Sequence, residues 1–399
     1  MAEHPWLTII GLGEDGPSGL TSASLAALAD AEIVMGPPRH LSLLPALTAD
    51  IVEWPTPFAD GIARLLALRG RRVAVLASGD PFWFGAGSVL VQHLEADEWR
   101  ALPGVSCFAL AASRLGWPLE TTECLGFHAA PFSRLRPYLS GGMRLIVTLR
   151  DGAAPGALAE NLSEAGFGES RLHVLEALGG PREKITAATA AHYREARPVS
   201  HPVCVAIEVA EGADSLPKAS GLPDRWFDHD GQITKRPVRA LTLSALAPQV
   251  GEHLWDIGGG SGSVAIEWLL VQRAMQATCV ELVPERAARI TANAARLGVD
   301  RLNVITGAAP EALDGLPPPD AVFVGGGLSP GLLRRLTELA RGTRLVANAV
   351  TLETETLLAE AHSRLGGSLT KIELARAAPL GTKRGWKASY PIVQWSVTL

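Results

Sequence analysis

Apolar runs of four to seven residues recur along the chain, separated by alanine- and leucine-rich stretches with helical spacing. The runs Leu7–Ile10, Ile33–Met35, Val73–Leu76, Leu145–Leu149, Leu172–Leu175 and Val203–Val209 read as strands, as do His253–Ile257, Ala277–Glu281, Asn303–Thr306, Ala321–Val324 and Arg344–Ala347. The stretches Ser22–Ala31, Gly85–Leu94, Ser106–Leu115, Ser263–Val271, Pro284–Leu297 and Leu352–Leu365 read as helices. Such alternation predicts an α/β protein with parallel sheets covered by helices on both faces.

One stretch breaks the rhythm. EGADSLPKASGLPD, Glu211–Asp224, is rich in Gly, Ser, Pro and Asp and has no period, so it reads as a linker. It separates a module at 1–212 from one at 223–399, with 213–222 between them. Residues 116–118 end a helix and precede a region with more strand character, so the first module is expected to have two lobes with a crevice between them.

At 399 residues, with 47% hydrophobic and 19% charged residues, the chain has ample core for two or three domains. A net charge of −5 disfavours a general electrostatic grip on nucleic acid. Cys107, Cys124, Cys204 and Cys279 are scattered without metal-binding spacing, so no metal is expected and the thiols read as free, in a reducing compartment. The start MAEHPWLTIIGLG lacks a signal-peptide pattern, and no apolar run has the length of a membrane span. A cytoplasmic homo-oligomer acting on a small molecule, without nucleic acid or membrane partners, is expected.

The densest chemistry lies in DIGGGSG, Asp256–Gly262, followed by CVEL at Cys279–Leu282. A strand, a glycine loop, a helix start and a second strand ending in a carboxylate are how an open α/β sheet holds a nucleoside. Gly258, Gly259, Gly260, Ser261 and Gly262 let the backbone approach the ligand, and Glu281 accepts from ribose hydroxyls. S-adenosyl-L-methionine and NAD both satisfy these residues. In the first module, IIGLGEDG (Ile9–Gly16) contains a formal GxGxxG with Gly11 and Gly13. The next helix starts near Thr21 or Ser22, too far on to hold a pyrophosphate, and Glu32 precedes a strand instead of ending one.

Longer segments carry resemblances. DGQITKRPVRALTLSAL (Asp230–Leu246), VELVPERAARITANAARLGV (Val280–Val299) and GAAPEALDGLPPPDAVFVGGG (Gly307–Gly327) flank the glycine loop and resemble the decarboxylating precorrin methyltransferases, of the Rossmann-like class I S-adenosylmethionine-dependent fold. This resemblance implies cofactor contacts at Thr234 and Ala309; Ala308 stands where relatives commonly carry an aspartate. The Gly325–Gly326–Gly327 strand tip lacks the acceptor motif of amino-group methyltransferases. GLGEDGPSGLT, LASGDPFWFGAG (Leu76–Gly87), LPGVSCFALAASRLGWP (Leu102–Pro118) and RLIVTLRDG (Arg144–Gly152) resemble the bilobal tetrapyrrole methylase family, in its branch that methylates C-5. There the implied cofactor residues are Ser78, Gly79, Asp80, Ser106, Cys107 and Leu149, with Trp83 nearby.

Together the modules resemble the fused precorrin methyltransferases of cobalamin synthesis. That resemblance implies two S-adenosyl-L-methionine sites per chain, methylation of C-5 and C-15 of precorrin-6B, and loss of carboxylate from the C-12 acetate to give precorrin-8X. A substrate with many carboxylates needs cationic anchors. Arg39, Lys235, Arg239, Lys383 and Arg384 are the candidates, with Arg114, Arg236 and Lys387 beside them; His40 is a possible proton donor, and no general base is assigned. Three other readings stand beside this one: an RNA- or nucleoside-modifying methyltransferase, an NAD-dependent oxidoreductase using GLGEDG, and a non-catalytic tetrapyrrole-binding protein.

Overall fold

The computed structural model describes residues 5–194, 198–212 and 214–399. Residue 213 of the expected linker and the first four residues, part of the start in which no signal peptide is read, lie outside them. Two compact units emerge: Met1–Phe132 with Tyr138–Asp214, and Ser133–Pro137 with Ser215–Leu399.

The first unit has the two expected lobes. One is a five-stranded, wholly parallel sheet in the order Asp50–Glu53, Ile33–Gly36, Val73–Ser78, Leu7–Leu12, Trp99–Leu102. Its three central strands, Ile33–Gly36, Val73–Ser78 and Leu7–Leu12, read as near-continuous apolar runs because both faces are covered. Leu7, Ile9, Met35, Val73 and Val75 pack on one side, and Ile10, Leu12, Val34, Ala74 and Leu76 on the other. The other lobe departs from the all-parallel expectation. Thr122–Phe127 pairs parallel with Arg144–Leu149, but Val203–Glu208 runs antiparallel between Arg144–Leu149 and Arg171–Glu176, and Lys184–Thr189 closes the edge antiparallel. Lys184–Thr189 is mostly exposed and polar, which hides it from a search for apolar runs.

The second unit is a seven-stranded sheet in the order Asn303–Thr306, Gln276–Glu281, His253–Ile257, Ala321–Val324, Arg344–Ala349, Ile392–Thr398, Ser368–Ile372. Its first five strands are parallel, and Ile392–Thr398 is antiparallel to both neighbours. The sheet order reverses direction beside His253–Ile257, so the carboxyl end of that strand is a topological switch point, where open α/β sheets hold ligands. A separate hairpin, Ala375–Leu380 with Lys383–Ala388, stands outside the sheet.

Two sequence expectations are corrected by packing. The helix expected at Gly85–Leu94 shrinks to Gly87–Leu90 followed by a 3-10 turn at Val91–His93. The preceding residues form a tight turn in which Asp80 Oδ1 accepts from the Phe82 N–H at 2.8 Å and Phe84 sits at φ 57°. The expected linker is only partly a linker: Leu216 and Leu222 are buried in the core of the second unit. The Gly221 and Leu222 N–H groups donate to Glu267 at 2.6 and 2.9 Å.

Glu267, on the helix Ser263–Val271, in turn accepts from Nε of Arg239 at 2.5 Å. Arg239 is fully buried; its other nitrogens reach Asp224 at 3.2 Å and the carbonyls of Thr234 and Leu222, and its guanidinium lies 4.8 Å from the centre of the Phe227 ring. Arg239 therefore ties residues 222–234 to the helix that follows the glycine loop. It is not presented to a substrate, and its expected role as a carboxylate anchor is withdrawn. Its position in a helix next to a basic cluster looks like a surface site, but the Glu267 that neutralises it lies 28 residues away in sequence.

Two predictions concern this framework. Glu267→Ala leaves a buried guanidinium short of its main counter-charge and is expected to destabilise the second unit by about 3–5 kcal/mol in urea unfolding. Gly11→Ala places a methyl 1.9 Å from the Gly79 carbonyl oxygen and 2.3 Å from the Gly104 nitrogen, both backbone atoms that cannot swing aside. Its expected cost is about 3 kcal/mol or more, read as a lowered melting temperature of the first unit.

Candidate functional sites

In the first unit, the carboxyl ends of three adjacent strands converge. The Gly79 N–H donates to the Leu12 carbonyl at 3.0 Å and the Gly104 N–H to the Gly79 carbonyl at 3.0 Å. This contact opens a cavity of about 330 Å³ lined by both lobes. Gly13, Ser78, Gly79, Asp80, Trp83, Ser106, Cys107, Leu149 and Arg39, all singled out in sequence, line it. Gly11 does not; it serves the approach beneath the floor.

Local structure fixes several of these groups. Ser106 caps the helix Cys107–Leu115, its hydroxyl accepting from the Ala109 N–H at 3.1 Å, so its side chain is committed. Burial pushes the Cys107 thiol up to about 12, leaving it a neutral wall. Trp83 packs against Phe108, with ring centres 4.9 Å apart and planes tilted by 34°, and stays partly exposed beside the cavity. Leu149 closes the floor at the end of its strand.

A charged network missed in the sequence borders the cavity. Glu14, the residue that distinguishes the GEDG loop, is buried and holds both Arg39 and Arg182, the latter at 3.0 Å. Arg39 also donates to Ser78 Oγ at 2.9 Å and to His40 Nε2 at 2.6 Å. Because a guanidinium only donates, His40 Nε2 is the acceptor and its proton sits on Nδ1. Burial, with help from Arg39, lowers the His40 pKa to about 3, so it is neutral and not a proton donor. His128 and His201 enter from the second lobe. Neither stood out in sequence, since each is a lone histidine beside a strand. Glu32, weighed as a ribose acid, instead accepts from the Arg72 N–H at 2.8 Å.

The second unit places its glycine loop at the switch point. Gly258, Gly260 and Gly262 have φ of 72°, 60° and 74°, which brings the loop backbone round the strand end. Gly258 lies against Gly326 of the neighbouring strand tip; a Cβ there would be 2.7 Å from the Gly326 carbonyl oxygen. Glu281 is buried at its strand end, and its two oxygens accept from the Gly260 and Val283 N–H groups at 2.8 and 3.0 Å. The loop thus aims the acid before any ligand arrives. Gly259 packs against the strand that carries Glu281.

Two buried acceptors remain open: Asp256 Oδ1 and Ser261 Oγ have no partner among the described residues. Asp256 Oδ2 accepts from the Ala265 N–H at 3.0 Å, and burial raises the Asp256 pKa to about 7. Orphaned polar atoms beside a cradle of exposed backbone fit a ligand that brings hydroxyls and a cation.

The remaining candidates divide by exposure. Thr234 is half-buried; its carbonyl accepts from Arg239, and the adjoining Gln232 backbone passes over Gly260. Lys235 is exposed at the start of the helix Arg236–Leu246. Ala309 is half-buried against the core beyond Asn303–Thr306. Lys383 and Arg384 are exposed on the separate hairpin, beside Leu380 and Trp386. Asn293, given no role in sequence, proves to be a buried strut. Its Nδ2 donates to the Asp228 and Ser261 carbonyls at 2.9 and 3.0 Å, and its Oδ1 accepts from the Asp228 N–H at 2.9 Å. Among the described residues no cluster could hold a metal ion, and no helix is long and apolar enough to cross a membrane.

Comparison with known proteins adds a family to this geometry. Residues 6–193 match the model of the tetrapyrrole (corrin/porphyrin) methylases, and residues 225–399 match that of the precorrin methyltransferase domain. A precorrin-6Y C(5,15)-methyltransferase (decarboxylating) from Sinorhizobium sp is 52% identical, covering 99% of this chain and 96% of its own. One from Mycobacterium tuberculosis (strain ATCC 25618 / H37Rv) is 41% identical, covering 98% and 99%. The crystal structure of the C-terminal domain of precorrin-6Y C5,15-methyltransferase from Rhodobacter capsulatus is 53% identical and covers 46% of this chain and 100% of that one, with a TM-score of 0.45. With both family models matched in order and similarity running through nearly its full length, this chain belongs to the decarboxylating precorrin-6Y C(5,15)-methyltransferases, S-adenosylmethionine-dependent enzymes.

Proposed function

We propose that the chain methylates C-5 and C-15 of a precorrin and removes carboxylate from the C-12 acetate, with C-5 methylation in the first unit and the other two steps in the second. The observation that carries this reading is the pair of separately built glycine-floored sites, one at the carboxyl end of each unit's parallel sheet. It supports two S-adenosyl-L-methionine sites per chain, and four free cysteines accord with a cytoplasmic location.

S-adenosyl-L-methionine supplies an electrophilic methyl group on a sulfonium sulfur. In the second unit, Glu281 would hold the ribose hydroxyls, Asp256 and Ser261 would take up polar groups of the ligand, and the Gly258–Gly262 backbone would face the rest. In the first unit, the Ser78–Asp80 loop and the backbone around Ser106, Cys107 and Leu149 would line its place. Arg39 is already held by Glu14 and offers a guanidinium at the cavity edge for a peripheral carboxylate. Lys235, Lys383 and Arg384 are free to meet carboxylates in the second unit. The protein's part in decarboxylation is to desolvate and orient the acetate without stabilising its charge. No side-chain acceptor stands at Gly325–Gly327, which accords with methylation at carbon.

Two outcomes test this reading. Equilibrium dialysis of the full chain with labelled S-adenosyl-L-methionine is expected to saturate at two per chain. Glu281→Ala is expected to weaken one site by about 1.5–3 kcal/mol, the worth of a charge-assisted hydrogen bond, and leave the other unchanged. Residues 1–214 and 215–399, prepared separately and incubated with the precorrin, should each add one methyl by mass spectrometry, with carbon dioxide lost only with the second. A product unchanged in mass from both would reject the proposal.

A further inference from the structure

The proposed C-5 methylation raises a question of proton balance. When a methyl group replaces hydrogen on a ring carbon, a carbon–carbon bond forms and the carbon–sulfur bond breaks, its electron pair going to sulfur. The pair of the lost C–H bond returns to the ring conjugation, and one proton is released per methyl. A base in the cavity can accept it.

The groups around the cavity differ in their freedom to do so. Glu14 has both oxygens engaged by guanidinium groups, so neither is open to the substrate. Asp80 is folded into its own turn. Cys107 and Cys204 are thiols whose pKa burial pushes up, and a protonated thiol accepts nothing. The lone pair of His40 Nε2 is taken by Arg39. His128 Nε2 lies 3.1 Å from the Thr148 hydroxyl. His201 differs: it lines the cavity, its residue is exposed, and no hydrogen bond ties its ring among the described residues.

We propose that His201 is the proton acceptor for methylation in the first unit. The proton leaves the methylated ring carbon, binds a ring nitrogen of His201, and passes from there to water. Four groups act on this imidazole through charge: Arg39 and His128 oppose its protonation, while Glu14 and Asp151 favour it. Desolvation is the largest influence and lowers its pKa below the ordinary 6.5, so it is neutral, with a lone pair to offer, at physiological pH. Protonation at low pH removes that lone pair, so C-5 methylation should fall as pH drops through a midpoint below 6.5.

The test uses the full chain, with precorrin carrying either hydrogen or deuterium at C-5, and follows C-5 and C-15 methylation separately. His201→Gln is expected to slow C-5 methylation about 100-fold, within the range for a lost acid–base group. It should also enlarge the isotope effect at C-5, abolish the acid limb of the pH profile, and leave C-15 methylation and S-adenosyl-L-methionine affinity unchanged. Added imidazole should restore part of the rate. Wild-type rate and pH profile in His201→Gln, or a rate loss with no change in isotope effect, overturns the assignment. If the variant does not fold, the wild type decides: an acid limb accompanied by a rising isotope effect supports the assignment, and a rate with no acid limb down to the pH at which the chain unfolds, or an acid limb with an unchanged isotope effect, overturns it. If the wild-type chain makes no C-5 product at all, the functional reading fails and takes this assignment with it.

Discussion

Both units depend on the same steric constraint: two backbones must come closer than any side chain allows. In the first, Gly11 meets Gly79 and Gly104; in the second, Gly258 meets Gly326. Each contact is at the carboxyl edge of a parallel sheet, where neighbouring strand ends must diverge for a ligand to enter but remain joined for the sheet to persist. A Cβ at either place would push the strand tips apart. The two solutions differ in how the chain continues. After Gly11 the backbone runs through a turn and a 3-10 segment, and the next helix begins only at Ser22. After Gly258 it winds directly into the helix Ser263–Val271. Different cavities follow from the same opening.

Charge is handled in two opposite ways. Arg239 has lost all contact with water and is matched by Glu267 and Asp224, so its charge serves architecture. Arg39 also has a buried acid, Glu14, but that acid is shared with Arg182, and both guanidinium groups keep part of their surface exposed. One carboxylate between two cations leaves a net positive edge where an anionic macrocycle is expected. Residue type alone does not distinguish these cases; the number of partners and the depth of burial do.

Much of the architecture was legible in the chain. Both-face burial turns parallel strands into unbroken apolar runs, and those runs were readable at Val73–Leu76 and Ala321–Val324. The glycine loops were readable because close approach and left-handed backbone admit few other residues. Strands such as Lys184–Thr189 escaped because they sit at an edge and carry no apolar signature. Long-range pairing was the main blind spot. Arg239 and Asn293 had surface-like neighbours in sequence and buried partners in space. His128 and His201 had no motif, and only the folding of the second lobe brings them to the cavity.

The ties from Gly221 and Leu222 to Glu267, and from Arg239 to Asp224, also bear on how such a two-module gene can be cut or joined. The polar stretch between the modules invites a junction anywhere along it. A recombination point at Asp224 would strip the buried Glu267 carboxylate of its two backbone donors and cut away core residues Leu216 and Leu222. Shuffling that preserves the second module must therefore carry its leader from Ser215 onward, so the tolerable seam is far narrower than the low-complexity stretch that surrounds it.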